Sequence, residues 1–359
     1  MMTTSNLSNR NIGLPQGSIS YGNDECGETW YYHEDCADYP NVDTTCDCGQ
    51  SLSGYHECEY NCALVHRCEN CENYDCYVES DYPSLWNYGY KPFGGMYVDV
   101  IDGDFKWLPI SNLTTSNPLV MGLELEVEYR SGYDFDDTLE FLTQLNAAFG
   151  SKYCTSPVFC IAKEDATVDV EFVTAPFTAA AFKKATTDLK IAFAYARERF
   201  KGFYAGSAGA HVHINKSGLS LTTAYAWIQF HYQNPGLIAD IAQRSIGEDA
   251  EWCYLQKPSQ PIAYIAKQKG GFPNRGALAD SSYTIEHRYF RSNLRFERIA
   301  KNIEFLDSMQ KYFNTLTYQD MARDGAHKLY AYLAHVSLMR HEYPNLYDYL
   351  VKKGYIACV

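Results

Sequence analysis

Three glutamates alternate with apolar residues in the segment from Met121 to Tyr129. A period of two predicts a β-strand that places Glu124, Glu126 and Glu128 on one face. Carboxylate oxygens are the ligands that hard divalent cations prefer, and three like charges on one face repel each other unless water or a cation lies between them. The segment therefore predicts either a cation site or a solvated acidic strand.

Two further segments read as strands that carry ionisable side chains. The segment from Asp165 to Pro176 places Glu171 opposite to its apolar neighbours, and the segment from Ser282 to Phe290 places Glu286 and Arg288 on one face. An exposed acidic strand and a simple salt bridge are the alternative interpretations. The spacing of Glu286 and Arg288, two residues along a strand, leaves each of them free to bind a separate ligand.

A fourth segment, from Gly206 to Asn215, places His211 and His213 on one face after a turn of small residues. This His-x-His spacing is typical of metal ligands, and small residues permit a close backbone approach. Together the four strands offer carboxylates, imidazoles and a guanidinium, a combination that binds Mg2+ or Mn2+ and phosphate. The sequence has no Walker loop and no G-x-G-x-x-G, so a bound nucleotide would be held through metals and arginine.

Nine of the 13 cysteines lie within residues 26–76, where three histidines are interleaved with them. Cys46 and Cys48, and Cys68 and Cys71, are the best-paired candidate ligands for a structural Zn2+ ion. Other combinations, and one ion or two, remain open, and free thiols or disulfides are the alternative. A metal would stabilise a segment that is too small to bury a core of its own.

The net charge of −14 is concentrated in the first third of the chain. Residues 1–120 carry four Lys and Arg against 18 Asp and Glu, which disfavours a nucleic-acid partner and fits solubility or a protein partner of the acidic zinc segment. No apolar run approaches the ~20 residues of a bilayer span, and the first residues lack an apolar leader. We therefore expect no membrane association and a cytoplasmic location, in the host cytoplasm for a phage-encoded protein.

The composition shift predicts a flexible N-terminus over 1–20, a cysteine-rich zinc-binding segment over 21–80, a connecting hairpin region over 81–118 and a catalytic domain over 119–359. Helical patterns separate the four strands, and they cover residues 136–149, 178–200, 220–244 and 295–313. This order predicts an α+β fold. Its mainly antiparallel sheet would form a funnel of charged strand faces, with the helices on the outer face.

The order of motifs resembles the amidoligase family, carboxylate-amine ligases related to glutamine synthetase and glutamate-cysteine ligase that are common in phages and bacteria. The resemblance covers about residues 120–310. It rests on GLELE at 122–126, D-x5-EFVTAP at 165–176, GSAGAHVHI at 206–214 and TIEHRYF at 284–290. His287 departs from it, because the family usually has an apolar or aromatic residue there.

The resemblance implies a glutamine-synthetase-like fold and a role for each charged residue. It implies that Arg288 contacts the transferred phosphoryl group and that His213 lies near the phosphates of ATP. The residues it implies as ligands of Mg2+ or Mn2+ are Glu124, Glu126, Glu171, His211 and Glu286. Lys267 and Arg275, in a glycine-rich loop, are further candidates for contact with nucleotide or substrate.

The activity that the resemblance implies is ATP-dependent ligation of a carboxylate to an amine through an acyl phosphate. The substrates would be small-molecule or peptide amines and carboxylates. Two alternatives come from the residues themselves: a metal-dependent hydrolase that uses the histidine pair and the carboxylates, and a non-enzymatic zinc-containing phage structural or interaction protein.

Overall fold

A computed structural model gives the fold of the chain. Besides six short strands before residue 76, it describes residues 95–114, 117–132, 134–151, 158–205, 207–247, 250, 253–256, 258–267, 271–272, 276–281, 283–321 and 325–357. The chain divides into two compact units, Met1–Tyr90 with Ser151–Val158, and Lys91–Gly150 with Phe159–Val359.

The described part of the first unit consists of strands β1 Ser18–Asn23, β2 Thr29–His33, β3 Asp43–Thr45, β4 Ser51–Ser53, β5 His66–Arg67 and β6 Tyr74–Asp75. The sheet order is β1-β2-β5-β6, all antiparallel, and β3 pairs with β4. Residues 1–17 and the predicted zinc ligands Cys46, Cys48, Cys68 and Cys71 lie outside the described residues. The zinc segment therefore stays a prediction.

A ten-stranded sheet forms the centre of the second unit. Its strands are β7 Met96–Ile101, β8 Asp104–Pro109, β9 Val120–Tyr129, β10 Cys160–Lys163, β11 Val170–Thr174, β12 Phe177–Thr178, β13 Phe200–Lys201, β14 Gly209–Asn215, β15 Leu278–Asp280 and β16 Thr284–Arg291. The main order is β15-β16-β14-β9-β12-β7-β8, and β9 also pairs with β11 and β13. The β12–β7 pair is parallel, whereas the other strand pairs of this sheet are antiparallel.

Ten α-helices accompany this sheet in the described part of the unit. They are α1 Phe135–Ala148, α2 Ala179–Lys184, α3 Thr186–Arg199, α4 Leu221–Gln233, α5 Pro235–Ala242, α6 Ile262–Ala266, α7 Phe296–Asn314, α8 Tyr318–Met321, α9 Gly325–Leu338 and α10 Pro344–Lys352. The single helix predicted over 220–244 is wrong, because Pro235 lacks a backbone N–H and starts a new helix. No described helix is long and apolar enough to cross a bilayer.

The apolar face of the sheet packs against these helices. The space between the sheet and helices α1 and α3 is filled by Leu123, Leu125 and Phe172. The Phe141 ring of α1 packs edge-on against the Phe172 ring, with the ring centres 4.8 Å apart. This face alternates with the glutamate face of β9, as the period of two predicted. The α+β class and the mainly antiparallel sheet are confirmed, whereas the funnel stays a prediction.

A buried asparagine joins helix α1 to the start of β10. The Asn146 amide nitrogen donates to the carbonyl oxygens of Leu142 and Cys160, at 2.9 and 3.0 Å. Its Oδ1 accepts from the backbone N–H groups of Phe159 and Cys160, at 2.8 and 3.0 Å. The bonds to Phe159 and Cys160 satisfy buried backbone groups at the start of the strand.

We expect Asn146→Leu to lower the free energy of unfolding by about 2–4 kcal/mol, because it leaves two buried N–H groups unpaired. Urea denaturation followed by circular dichroism measures this loss. The control is Asn112→Ala at an exposed position, which we expect to change stability by less than about 0.5 kcal/mol. Equal stability of Asn146→Leu and the unmodified protein would contradict the assigned role of this amide.

Candidate metal centre

Strand pairing on β9 assembles the centre of the site. Glu171 on β11 lies opposite Glu126, and His211 on β14 lies opposite Glu124. Directly opposed residues on neighbouring strands share a face of the sheet. Four residues from three distant segments therefore converge on the glutamate face.

Strand β16 adds the remaining charges. Glu286 lies opposite His213 of β14. On its other side His213 lies opposite Gly122 of β9, which has no side chain to fill the space beside the imidazole. The register of β14 and β16 shifts between Ala210 and Val212, a bulge next to Arg288. Bulges re-aim side chains and are common beside active sites.

Glu124, His211 and Glu286 form one group of candidate metal ligands. Their ligand atoms all lie within 4.8 Å of one another. The Nδ1 atom of His211 is 3.4 Å from Glu124 Oε2 and 3.3 Å from Glu286 Oε1. A cation between them would replace these contacts with coordination bonds from two carboxylates and one imidazole.

Glu126, Glu171 and His211 form a second group within the same distance limit of 4.8 Å. The other imidazole nitrogen, His211 Nε2, lies 3.5 Å from Glu126 Oε1. Glu126 also accepts a hydrogen bond from the backbone N–H of Gly209. A Cβ atom on Gly209 would lie 2.8 Å from His211 Nε2, so the glycine before the His-x-His motif permits this ring position.

Burial and mutual charge shift the pKa values of the cluster. Burial opposes ionisation of Glu124, but His213 and His211 hold the pKa of this carboxyl well below its usual range. Burial would lower the pKa of His211, but the surrounding carboxylates, above all its hydrogen bond to Glu124, raise it to about 8. Burial and the Glu124 charge raise the pKa of Glu171 to about 7. At neutral pH a proton on His211 thus offsets part of the negative charge of the carboxylates.

The donor set fits a hard divalent cation. Four carboxylates and an imidazole are ligands that suit Mg2+ or Mn2+. Arg288 lies beside them, with one guanidinium nitrogen 2.9 Å from Glu286 Oε1. Its Nε is buried and has no hydrogen-bond partner, which leaves a donor available to an anionic ligand.

Not every candidate from the sequence reaches the cluster. Lys267 follows α6 with an exposed side chain, and the described structure gives it no hydrogen bond or ion pair with the cluster residues. Arg275 lies outside the described residues. His287 lies on the opposite, helical face, where its Nε2 accepts a hydrogen bond from the Trp227 indole at 3.0 Å. Burial holds the pKa of His287 well below its usual range, so it is a neutral core residue.

Lys163 is a residue of the site that sequence reasoning missed. It ends β10, lies opposite Glu171 and holds that carboxylate in a buried ion pair, with Nζ 3.1 Å from Oε2. A divalent cation at the second group would therefore share Glu171 with Lys163. The signal was the short apolar run Cys160–Ala162, followed by a lysine directly before a turn.

Comparisons with known proteins find similarities among solved structures. No family model and no curated protein matches the chain. Among solved structures it is similar to a chain in the complex of the prokaryotic ubiquitin-like protein Pup and its ligase PafA, with 13% sequence identity and a TM-score of 0.31. The similarity covers 66% of this chain and 63% of that chain, so it spans less than two thirds of the solved chain.

We expect the affinity for Mn2+ to fall as the pH falls through about 8, because His211 then carries a proton that a bound cation must displace. Each displaced proton weakens binding by about tenfold per pH unit below its pKa. Protonation of Glu171 adds to the loss below about pH 7. Isothermal titration calorimetry in two buffers of different ionisation enthalpy measures both the affinity and the protons released. An affinity that stays constant through this pH range would contradict the assignment.

Proposed function

We propose that the protein is an ATP-dependent carboxylate-amine ligase. The observation that supports the proposal most is the convergence of four buried or half-buried glutamates, two histidines and Arg288 on one face of the sheet. The four glutamates by themselves would indicate a site that binds only a cation. The guanidinium beside them, with its unpaired Nε, favours an anionic ligand that is bound together with the cation.

The residues that would hold Mg2+ or Mn2+ are Glu124, His211 and Glu286 in one group, and Glu126, Glu171 and His211 in the other. A bound divalent cation supplies neutralisation of the negative charge on the phosphates of ATP. Without a cation, the carboxylates would repel a triphosphate. The acidic cluster and the nucleotide therefore both require the divalent cation as a counterion.

The proposed reaction has two steps. A carboxylate oxygen of the first substrate attacks the γ-phosphorus of ATP, the bond to the β–γ bridging oxygen breaks, and ADP leaves with that oxygen. The nitrogen of an amine then attacks the acyl carbon of the resulting acyl phosphate. Inorganic phosphate leaves, the nitrogen loses a proton, and an amide or peptide-like bond remains.

The chain's own residues would position these groups. Arg288 would hold the transferring phosphoryl oxygens through its free donor, and His213, 3.2 Å from both Glu124 and the Thr284 hydroxyl, would lie near the phosphates. The reaction uses no side-chain nucleophile. This agrees with the buried Cys160, because burial raises the pKa of its thiol and disfavours the thiolate.

The substrate classes in this proposal are small-molecule or peptide amines and carboxylates. The zinc segment would have a structural role, with its acidic residues available to a protein partner. A metal-dependent hydrolase would use the same carboxylates and His211 but would turn over without nucleotide. Dependence of turnover on ATP therefore separates the two activities.

We expect Glu124→Ala and Arg288→Ala each to lower kcat/KM for ADP formation by at least about 100-fold, because each removes a group that would stabilise the transferring phosphoryl group. The assay measures ADP release from Mg2+-ATP with a panel of amines and carboxylates.

The matched control is Glu128→Gln, on the same strand and the same face but outside both ligand groups. We expect it to keep the activity of the unmodified protein. Unchanged ADP formation in Glu124→Ala and Arg288→Ala would contradict the ligase proposal, and so would product formation without ATP.

A further inference from the structure

A basic cleft lies just beyond the carboxyl ends of β9 and β16. One cavity of about 270 Å3 is lined by Arg130, Arg197, Arg295 and Arg298. A second cavity, of about 460 Å3, shares Phe203, Gln243 and Arg298 with the first and adds Arg244, Lys352 and Lys353. We call the two adjoining cavities the arginine cleft. None of the residues that line it belongs to either metal-ligand group.

Among the described residues that line the arginine cleft, positive side chains outnumber negative ones. Asp240 is the one acidic residue among those that line it, and Asp240 pairs with Lys353 at 2.6 Å. In the described part of the chain, no carboxylate lies within ion-pair distance of the five arginines. Residues 121–359 carry as many Asp and Glu as Lys and Arg, so the single acid among the residues that line this cleft requires an explanation.

Helix electrostatics explain only part of the charge. Arg197 and Lys352 lie in the last turns of α3 and α10, where cations stabilise the helix dipole. Arg295 and Arg298 instead lie at the first turn of α7, the end at which the dipole disfavours cations. Positions that oppose a local rule are expected at functional sites.

Two of these guanidiniums are held in place without loss of their charge. Arg130 Nε donates to the carbonyl oxygen of Arg197 at 2.9 Å, and the Arg298 guanidinium lies 4.8 Å from the centre of the Tyr349 ring. Phe203 and Tyr204 form an edge-on aromatic pair in the wall, and Tyr204 is 81% exposed. The cleft therefore combines oriented donors with an exposed aromatic surface.

We propose that the arginine cleft binds a small molecule that carries two or more phosphate groups. A carboxylate brings a single negative charge, whereas a phosphate brings up to two, together with oxygens that match the guanidinium fork. Cavities of this size suit a small molecule and not an extended polymer. The aromatic wall would stack against an organic group of the ligand.

Titration of the full chain with inorganic tripolyphosphate in EDTA tests this proposal. We expect saturable binding that weakens with salt, and a loss of affinity of at least about tenfold in the Arg295→Ala, Arg298→Ala double variant. Comparison with a nucleoside triphosphate separates recognition of phosphate from stacking of the base. Because EDTA removes divalent cations, the result is independent of ADP formation at the metal centre.

Two further variants control for a non-specific effect of charge and for loss of stability. Arg340→Ala removes an exposed arginine outside the cleft and should leave tripolyphosphate affinity unchanged. Arg130→Ala leaves the Arg298–Tyr349 contact intact and should weaken binding even if the double variant is less stable. Absence of binding, an equal loss in Arg340→Ala, or binding confined to single-stranded RNA would each overturn the proposal.

Discussion

The site depends on the pairing register of β9 with its neighbours. This register buries Glu124 between two imidazoles and places Glu126 opposite Glu171. The pairing of β14 with β16 adds Glu286, so that four acids share one small region of the sheet. Like charges in a buried site repel, and each loses its hydration. Such an arrangement is stable only with compensating cations, which in the chain itself are His211, Lys163 and Arg288. A divalent ion would take over part of that role.

The rest of the second unit keeps this register fixed. A slip of one residue in any strand would turn its charged side chains into the apolar core and its apolar ones to the polar face. Helices α1, α3 and α4 oppose such a slip through packing on the apolar face. Directed hydrogen bonds add to this, among them those of Asn146 to β10 and of Trp227 to His287 on β16. The packing of the core therefore fixes the positions of the polar side chains on the other face of the sheet.

Alternation in the sequence was sufficient to predict the four charged strands, because side chains on a strand must point to alternate faces. It was not sufficient to predict which residues meet, since register follows from pairing across the whole sheet. Lys163 could not be predicted in this way, because all four residues of β10 are buried and polar and apolar residues do not alternate along it. His287 lies between two site residues on its strand, so alternation turns it to the helical face, where the Trp227 indole donates a hydrogen bond to it. The cleft arginines lie at element ends, where sequence periodicity carries no information.

In the proposed enzyme these side chains jointly hold a divalent cation and the phosphates of ATP. A crystal structure of the full chain with Mn2+ and a non-hydrolysable ATP analogue tests it most directly, through the anomalous scattering of manganese. We expect an anomalous peak at coordinating distance from His211 and from carboxylates of Glu124 and Glu286 or of Glu126 and Glu171, with the γ-phosphate next to Arg288. Nucleotide and manganese bound elsewhere, with the cluster retaining its internal ion pairs, would contradict it.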